Sequence, residues 1–220
     1  DDMEKQAECR HKVMQASGFL MELVNNVLNM NKLESGEMKP ENKPFDLIEL
    51  LKETTSIIEM QGQEYAIHFQ MQMGKHKYRH LIGSPLYLKQ VLQNIGGNAV
   101  KYNRAGGAVT FASEDVAYSD GRVVVKFTCT DTGRGMSREF LVHAFEPFSQ
   151  ENTDARTTFT GTGLGLAITK QMVELMEGTI SLKSEQNVGT TISVTIPFRI
   201  DVDYTEPQED AKPADAASLE

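Results

Sequence analysis

At 220 residues and a net charge of −9, with 40 % hydrophobic and 24 % charged residues, the chain has the make-up of a water-soluble globular protein. That length supports one good core, or one domain plus an extension. The acidic balance excludes a nucleic-acid partner, which would need clustered positive charge. No apolar run approaches the ~20 residues that cross a bilayer, so no membrane contact is expected of this fragment. A cytoplasmic location is the expectation, with any membrane anchor of a full-length protein placed elsewhere.

Residues 3–33 read as one long helix. Val13, Leu20 and Val27 recur at heptad spacing, as do Ala16, Leu23 and Met30, and together they form an a/d seam of the coiled-coil kind. At 1.5 Å per residue such a helix would be ~45 Å long, more than a compact domain of the remaining length could cover. The seam is therefore expected in a bundle with other members. Asp1 and Asp2 suit the helix start.

"ESGEMKPENKP" (34–44) is rich in Pro, Gly and charge and reads as a linker. "FDLIELLKETTSIIEMQGQ" is an amphipathic helix. "YAIHFQMQM" and "KYRHLIG" read as strands. "SPLYLKQVLQNIGGNAVKYN" (84–103) is a helix with Ser84 as N-cap, Pro85 in its first turn, and Leu88, Val91, Leu92, Ile95, Ala99 and Val100 as its core face. Gly96 and Gly97 inside it each cost roughly 1 kcal/mol relative to alanine. Two strands follow, joined through Asp120-Gly121, a hairpin turn pair. Cys129 belongs to the second of them, "RVVVKFTCTD", and with Cys9 is read as a reduced thiol. A short helix near 137–144, a polar stretch over 149–160, and a helix after the glycines of "GTGLGLAITKQMVELMEG" (161–178) come next. Leu164, Ile168, Met172 and Leu175 are its expected core face. "TISLKSE" and "GTTISVTIPFRI" make a last hairpin, and the acidic tail from 201 has the composition of a disordered segment. The expected architecture is α+β: a two-layer sandwich, largely antiparallel, with helices on one face and a long helix at the N-terminus.

Four stretches carry candidate chemistry. The glycine segment is neither G-x-G-x-x-G nor a P-loop, since a convincing strand in front and a Lys-Ser/Thr pair behind are both missing. The backbone N–H groups of Gly163 to Leu166 nonetheless open a helix, where unpaired donors and the dipole favour an anion; an ordinary glycine-rich turn is the competing reading. Asn94, Asn98 and Lys101 stand at i, i+4 and i+7 on one helix face. An amide oxygen is a hard ligand suited to Mg²⁺, and lysine is a point-charge partner for phosphate; a solvated face is the alternative. "DTGRGM" (131–136) follows a buried strand, so Asp131 can accept from an amino group while Gly133 and Gly135 let a flat ring approach the backbone, unless the segment is a plain turn with a capping Asp. In "FEPFSQ" (145–150), Phe145 and Phe148 flank a polar segment, as part of a lid or of a satellite core.

Taken together and in this order, these stretches resemble the ATP-binding domain of bacterial sensor histidine kinases, within the GHKL ATPase superfamily. "NIGGNAVKYN" is similar to the N box, "DTGRGM" to the first G box, "FEPF" to the F box, "GTGLGL" to the second G box and "VGTT" (188–191) to the last. The resemblance runs from about residue 45 to 198. It implies a Bergerat-type fold, ATP and Mg²⁺ as ligands, and a division into 1–38 (second helix of a dimerisation and phosphoacceptor hairpin), 39–200 (ATP-binding domain) and a 201–220 tail. The hairpin's first helix, with the phosphorylated histidine, would lie outside this sequence. None of His11, His68, His76, His80 and His143 is followed by the acidic residue, Arg and Pro of the family's acceptor box, and each is expected at a surface or interface. On that view this chain would not phosphorylate itself.

The resemblance also implies roles. Asn98 would hold Mg²⁺, Lys101 would contact phosphate, and Tyr102 would border the adenine or ribose. Asp131 would read the adenine amino group, and Gly133, Gly135 and Met136 would line the base pocket. Phe145 is included from the F box. Gly161, Thr162, Gly163, Leu164, Gly165 and Leu166 would cradle the phosphates, Thr190 would stand near the adenine, and Arg156 would reach the γ-phosphate. Asn94, grouped with Lys101 and Arg156 as catalytic, occupies the position where hydrolytic members of the superfamily carry a glutamate that activates water. An amide cannot take that proton, which favours phosphoryl transfer to a histidine over rapid hydrolysis. Implied partners are a response-regulator receiver domain and a second copy bound through the N-terminal helix. The alternatives are a degenerate kinase that only binds nucleotide or a partner, and a clamp-type ATPase.

Overall fold

The computed structural model of the protein describes residues 2–151 and 161–204. Among them the order is α1 (Asp2–Glu34), β1 (Lys43–Asp46), α2 (Leu47–Glu64), β2 (His68–Met73), β3 (His80–Gly83), α3 (Pro85–Lys101), β4 (Ala108–Ser119), β5 (Arg122–Asp131), α4 (Arg138–His143), α5 (Gly165–Leu175), β6 (Thr179–Glu185) and β7 (Gly189–Ile200). The strands form one sheet in the order β1-β3-β7-β5-β4-β2, with β6 also paired to β7. The β4/β5 connection is Asp120-Gly121 with φ of 50° and 73°, the two positive values that a tight hairpin turn needs.

The central strands β5 and β7 alternate along most of their length. Val123, Val125, Phe127 and Cys129 of β5, and Ile192, Val194, Ile196 and Phe198 of β7, are buried beneath α2, α3 and α5. The opposite face of those strands carries the half-exposed positions. This is the expected two-layer α+β sandwich. All six predicted apolar positions of α3 are buried. Burying one such side chain stabilises by roughly 1.5–3 kcal/mol, so α3 readily tolerates its two glycines. Gly96 is also required by packing: a Cβ there would lie 2.9 Å from Cγ1 and 3.1 Å from Cγ2 of Ile58 on α2, and closer still to Cδ1. Gly97 has only Gln61 Oε1, at 4.0 Å.

Several expectations need correction. Residues 43–46 are a strand, not linker and helix: Phe45 packs edge-on against Phe198, and Asp46 caps α2 by accepting from the Glu49 N–H at 3.0 Å. The sheet is largely antiparallel, as expected; among the described strands only the β2/β4 pair is parallel, with β3 and α3 supplying the crossover that parallel neighbours require. Ser84 does sit at the N-cap of α3, but its buried hydroxyl has no partner among the described residues and makes no capping bond. On α5 the buried set includes Val173 and Met176, whereas Leu175 is 36 % exposed. Residues 201–204 of the expected tail are laid along β3: the Asp201 N–H donates to the His80 carbonyl, and the Tyr204 ring stacks on His80. Residues 205–220 lie outside the described residues.

His76 is not a surface histidine. Its side chain and that of Asp115 are each only 2 % exposed. Nδ1 meets Asp115 Oδ1 at 2.7 Å and Nε2 meets Ser113 Oγ at 2.9 Å. Asp115 Oδ2 accepts from the Lys77 N–H and the Tyr118 hydroxyl. Ser113 is itself buried, so this Ser-His-Asp grouping offers no accessible nucleophile and instead fastens the β2–β3 loop onto β4.

Most of α1 stands clear of the sheet. Val13 and Leu20 of the seam are 63 % and 59 % exposed, while Met30 and Leu33 pack against the core. Among the described residues no helix is long and apolar enough to cross a membrane.

Candidate functional site

Helix α3 presents Asn94, Asn98 and Lys101 toward a partly open cavity. Its other walls are the end of β5, the turn after it, residues 149–151, the glycine segment and the start of β7. One region is apolar, with Ile95, Ala99, Cys129, Met136 and Ile192 around the Asp131 carboxylate. Cys129 and Asp131 share one face of β5 by the period of a strand.

Asp131 is fastened on one side only. Its Oδ1 accepts from the Gly133 N–H at 2.8 Å and the Thr190 N–H at 3.3 Å. Among the described residues Oδ2 has no partner. Burial raises the carboxyl pKa, against the two N–H groups that pull it down. Burial, helped by the nearby Asp131 charge, also raises the Cys129 thiol far out of the physiological range, so it stays neutral. A lone carboxylate oxygen among apolar groups suits a flat ring with an amino donor.

The other region is polar. Lys101 Nζ and the Tyr102 hydroxyl both face Gly161: a Cβ there would lie 2.8 Å from the hydroxyl and 3.4 Å from the amine. Gln150 Nε2 donates to the Gly161 carbonyl at 2.8 Å, and Thr162 Oγ1 accepts from Asn26 of α1 at 3.0 Å and from the Leu164 N–H at 3.3 Å. Asn94 Nδ2 donates to Thr169 Oγ1 at 2.5 Å, and that hydroxyl donates to the Gly165 carbonyl at 2.8 Å. These bonds tie α3 to the first turn of α5. The amide oxygen of Asn94 lies where a Cβ on Gly165 would be, 2.8 Å away. Asn98, with no side-chain bond among the described residues, offers a hard oxygen in the same lining as the Lys101 amine.

Of the residues singled out by sequence, Asn94, Asn98, Lys101, Tyr102, Asp131, Gly135, Met136, Gly161, Thr162, Gly163, Gly165, Leu166 and Thr190 are brought together as lining. Three others lie outside it. Gly133 is pressed behind the wall, 2.5 Å (as a Cβ) from the Tyr102 carbonyl. Leu164 is fully buried in the core beneath the loop. Phe145 sits away from the cavity, with Lys170 5.9 Å from its ring. Arg156 lies outside the described residues. Gly135 has φ of 64°, and a Cβ there would meet Gln186 Cα at 3.1 Å, so only glycine fits. Sequence reasoning missed Arg134, whose guanidinium lies 4.5 Å over the Tyr102 ring inside the cavity. It also missed the apolar wall, although Cys129 was legible two residues before Asp131 on a strand.

Residues 83–200 match the family described as histidine kinase-, DNA gyrase B-, and HSP90-like ATPase. The chain belongs to this family of ATPases. Several of its relatives are named histidine kinases. It is 30 % identical over 190 residues to the peroxide stress-activated histidine kinase mak1 of Schizosaccharomyces pombe, covering 86 % of this chain and 12 % of that protein. It is 30 % identical over 179 residues to the signal transduction histidine-protein kinase BarA of Escherichia coli (strain K12), covering 81 % of this chain and 19 % of that protein. The chain thus spans a quarter or less of those two. Among solved structures, full-length ShkA in complex with AMPPNP superposes with a TM-score of 0.73 at 28 % identity, over 89 % of this chain and 39 % of that one.

Proposed function

We propose that this chain is the ATP-binding catalytic part of a two-component sensor histidine kinase that moves the γ-phosphoryl group of ATP to a histidine on a dimerisation hairpin, for relay to a response-regulator receiver domain. The observation that carries the reading is the Asp131 carboxylate, one oxygen pinned by two backbone N–H groups and the other free among apolar side chains. Asp131 accepts from the adenine amino group, with Gly135, Met136 and Thr190 around the base. Lys101, Tyr102 and the glycine segment take the phosphates. Asn98 holds Mg²⁺, which when bound neutralises phosphate charge. Asn94 positions the start of α5 and cannot serve as a base. Arg156 is assigned to the γ-phosphate.

In this reading α1, with its exposed seam, is the second hairpin helix, residues 1–38 and 39–200 are separate units, and a second copy pairs through α1. Exposed apolar surface of that extent favours association. Titration calorimetry with AMPPNP and Mg²⁺ tests the site: heat of binding is expected for the wild type and its loss for Asp131→Ala. Labelled ATP, with a separate hairpin carrying the acceptor box, tests transfer. No heat with the wild type would refute the nucleotide reading. Binding without labelled histidine would leave a nucleotide-holding module in place of a kinase.

A further inference from the structure

We propose that Arg104 is a positioning residue of the nucleotide site: its guanidinium ties together the two turns that hold Asp131, and thereby aims the free carboxylate oxygen at the base. The inference rests on the nucleotide reading above and assigns a specificity role to a residue outside the cavity lining. Arg104 follows α3 and is exposed. Its Nε donates to the Thr132 carbonyl at 2.8 Å, and its Nη2 donates to the Gly133 carbonyl at 3.2 Å and the Asn187 carbonyl at 2.8 Å. Thr132 and Gly133 belong to the turn after β5, and Asn187 to the β6–β7 turn.

Of the two N–H groups that hold Asp131 Oδ1, one comes from the first of these turns and the other from the start of β7, just past the second turn. One is that of Gly133, whose own carbonyl Arg104 grips. The other is that of Thr190, three residues past Asn187. The turns meet directly as well, through the Asn187 N–H and the Arg134 carbonyl at 2.7 Å. The Arg134 N–H in turn donates to the Tyr102 carbonyl at 3.1 Å, so the whole frame is anchored to the end of α3. Three acceptors from two turns need a planar fork of donors, which guanidinium has and ammonium lacks. Because Arg104 is exposed, water can replace it at the freed carbonyls. Its loss should therefore move the frame without unfolding the protein.

The test compares ADP with inosine diphosphate, which carries an oxo group in place of the adenine amino group. By calorimetry the wild type should prefer ADP. Arg104→Gln should weaken ADP binding by about tenfold, the order seen when a group that orients a ligand from behind is removed. Inosine diphosphate should weaken far less, so the preference narrows; Arg104→Lys should fall between. In the nucleotide-free protein, amide hydrogen exchange should quicken at residues 132–135 and 186–190 while the urea midpoint stays unchanged. An unaltered ADP preference in Arg104→Gln, or equal weakening of both nucleotides, would overturn the proposal. Failure of the wild type itself to bind ADP would overturn the nucleotide reading, and is seen before any variant is made.

Discussion

Adjacent glycines in α3 should respond to the same substitution with opposite signs. Alanine in place of glycine in a helix interior gains about 1 kcal/mol of helix propensity. At Gly97 nothing opposes that gain, since the new Cβ would have only Gln61 Oε1 at 4.0 Å. Gly97→Ala should therefore stabilise by about 1 kcal/mol. At Gly96 the Cβ would crowd three carbons of Ile58, two of them at 2.9 and 3.1 Å, and Ile58 is 1 % exposed with no room to turn away. Overpacking of this kind costs about 1–3 kcal/mol, so Gly96→Ala should be neutral to destabilising by about 2 kcal/mol once the propensity gain is subtracted. Urea unfolding of the two variants should separate their midpoints by roughly 0.5–1.5 M. Ile58→Val removes Cδ1, the atom nearest the new methyl. Alone it should cost about 0.5–1.5 kcal/mol; beside Gly96→Ala it should cost less or restore stability. Equal stabilisation by both alanines, or strict additivity of Gly96→Ala with Ile58→Val, would refute this account of the α2/α3 contact.

Three other outcomes follow from the site and its surroundings. The Asp131 pKa is raised in the folded protein, so the ionised carboxylate destabilises the free protein at neutral pH, and the penalty is relieved as pH falls through the raised value. Nucleotide binding runs the other way: protonation removes the acceptor, so ATP affinity should fall at a pH above the usual carboxylate range, and a flat calorimetric profile from about pH 8 to about pH 4 would contradict the assignment. Asp115 is shifted oppositely. Burial pushes its carboxyl up, but hydrogen bonds from Tyr118, the Lys77 N–H and His76, with the His76 charge, outweigh it and lower the pKa. Its contribution is present above the ordinary carboxylate pKa and is lost as pH falls through the lowered value. His76→Ala should cost about 1–3 kcal/mol and move acid unfolding to higher pH, which circular dichroism against pH would show. Gly161→Ala should crowd the Tyr102 hydroxyl and Lys101 amine, and it puts a side chain on a backbone with φ of 25°. Stability should fall by about 1–2 kcal/mol, while nucleotide affinity of the folded protein falls; unchanged affinity would place the phosphates elsewhere.

Much of this molecule is legible locally. The 3.6-residue stripe of α3, the period-2 runs of β5 and β7 and the Asp-Gly turn act over a few residues, and the packed structure agrees with each. The glycine-marked stretches resemble the ATP-binding domain of histidine kinases, and residues 83–200 match the family of histidine kinase-, DNA gyrase B-, and HSP90-like ATPases. Strand β1 was hidden because its residues, Lys43–Asp46, are too few to show a period and sit behind a linker-like run. Arg104 and Arg134 carried no local signal, since arginine after a helix or within a turn is ordinarily a solvated charge. Ser84 gave a misleading one: the right residue type stands at the cap position, yet its hydroxyl is left without a partner among the described residues.

Sequence alone determined the elements apart from β1, the main amphipathic faces and the residue types available for binding, because backbone propensity and apolar spacing depend on near neighbours. Only the tertiary structure decided which carboxylate oxygen of Asp131 is left open, that Gly96 must stay bare against Ile58, and that carbonyls from two distant turns converge on one guanidinium. Those outcomes depend on how separate segments meet, and packing between segments is set by the whole fold, beyond the reach of any local pattern.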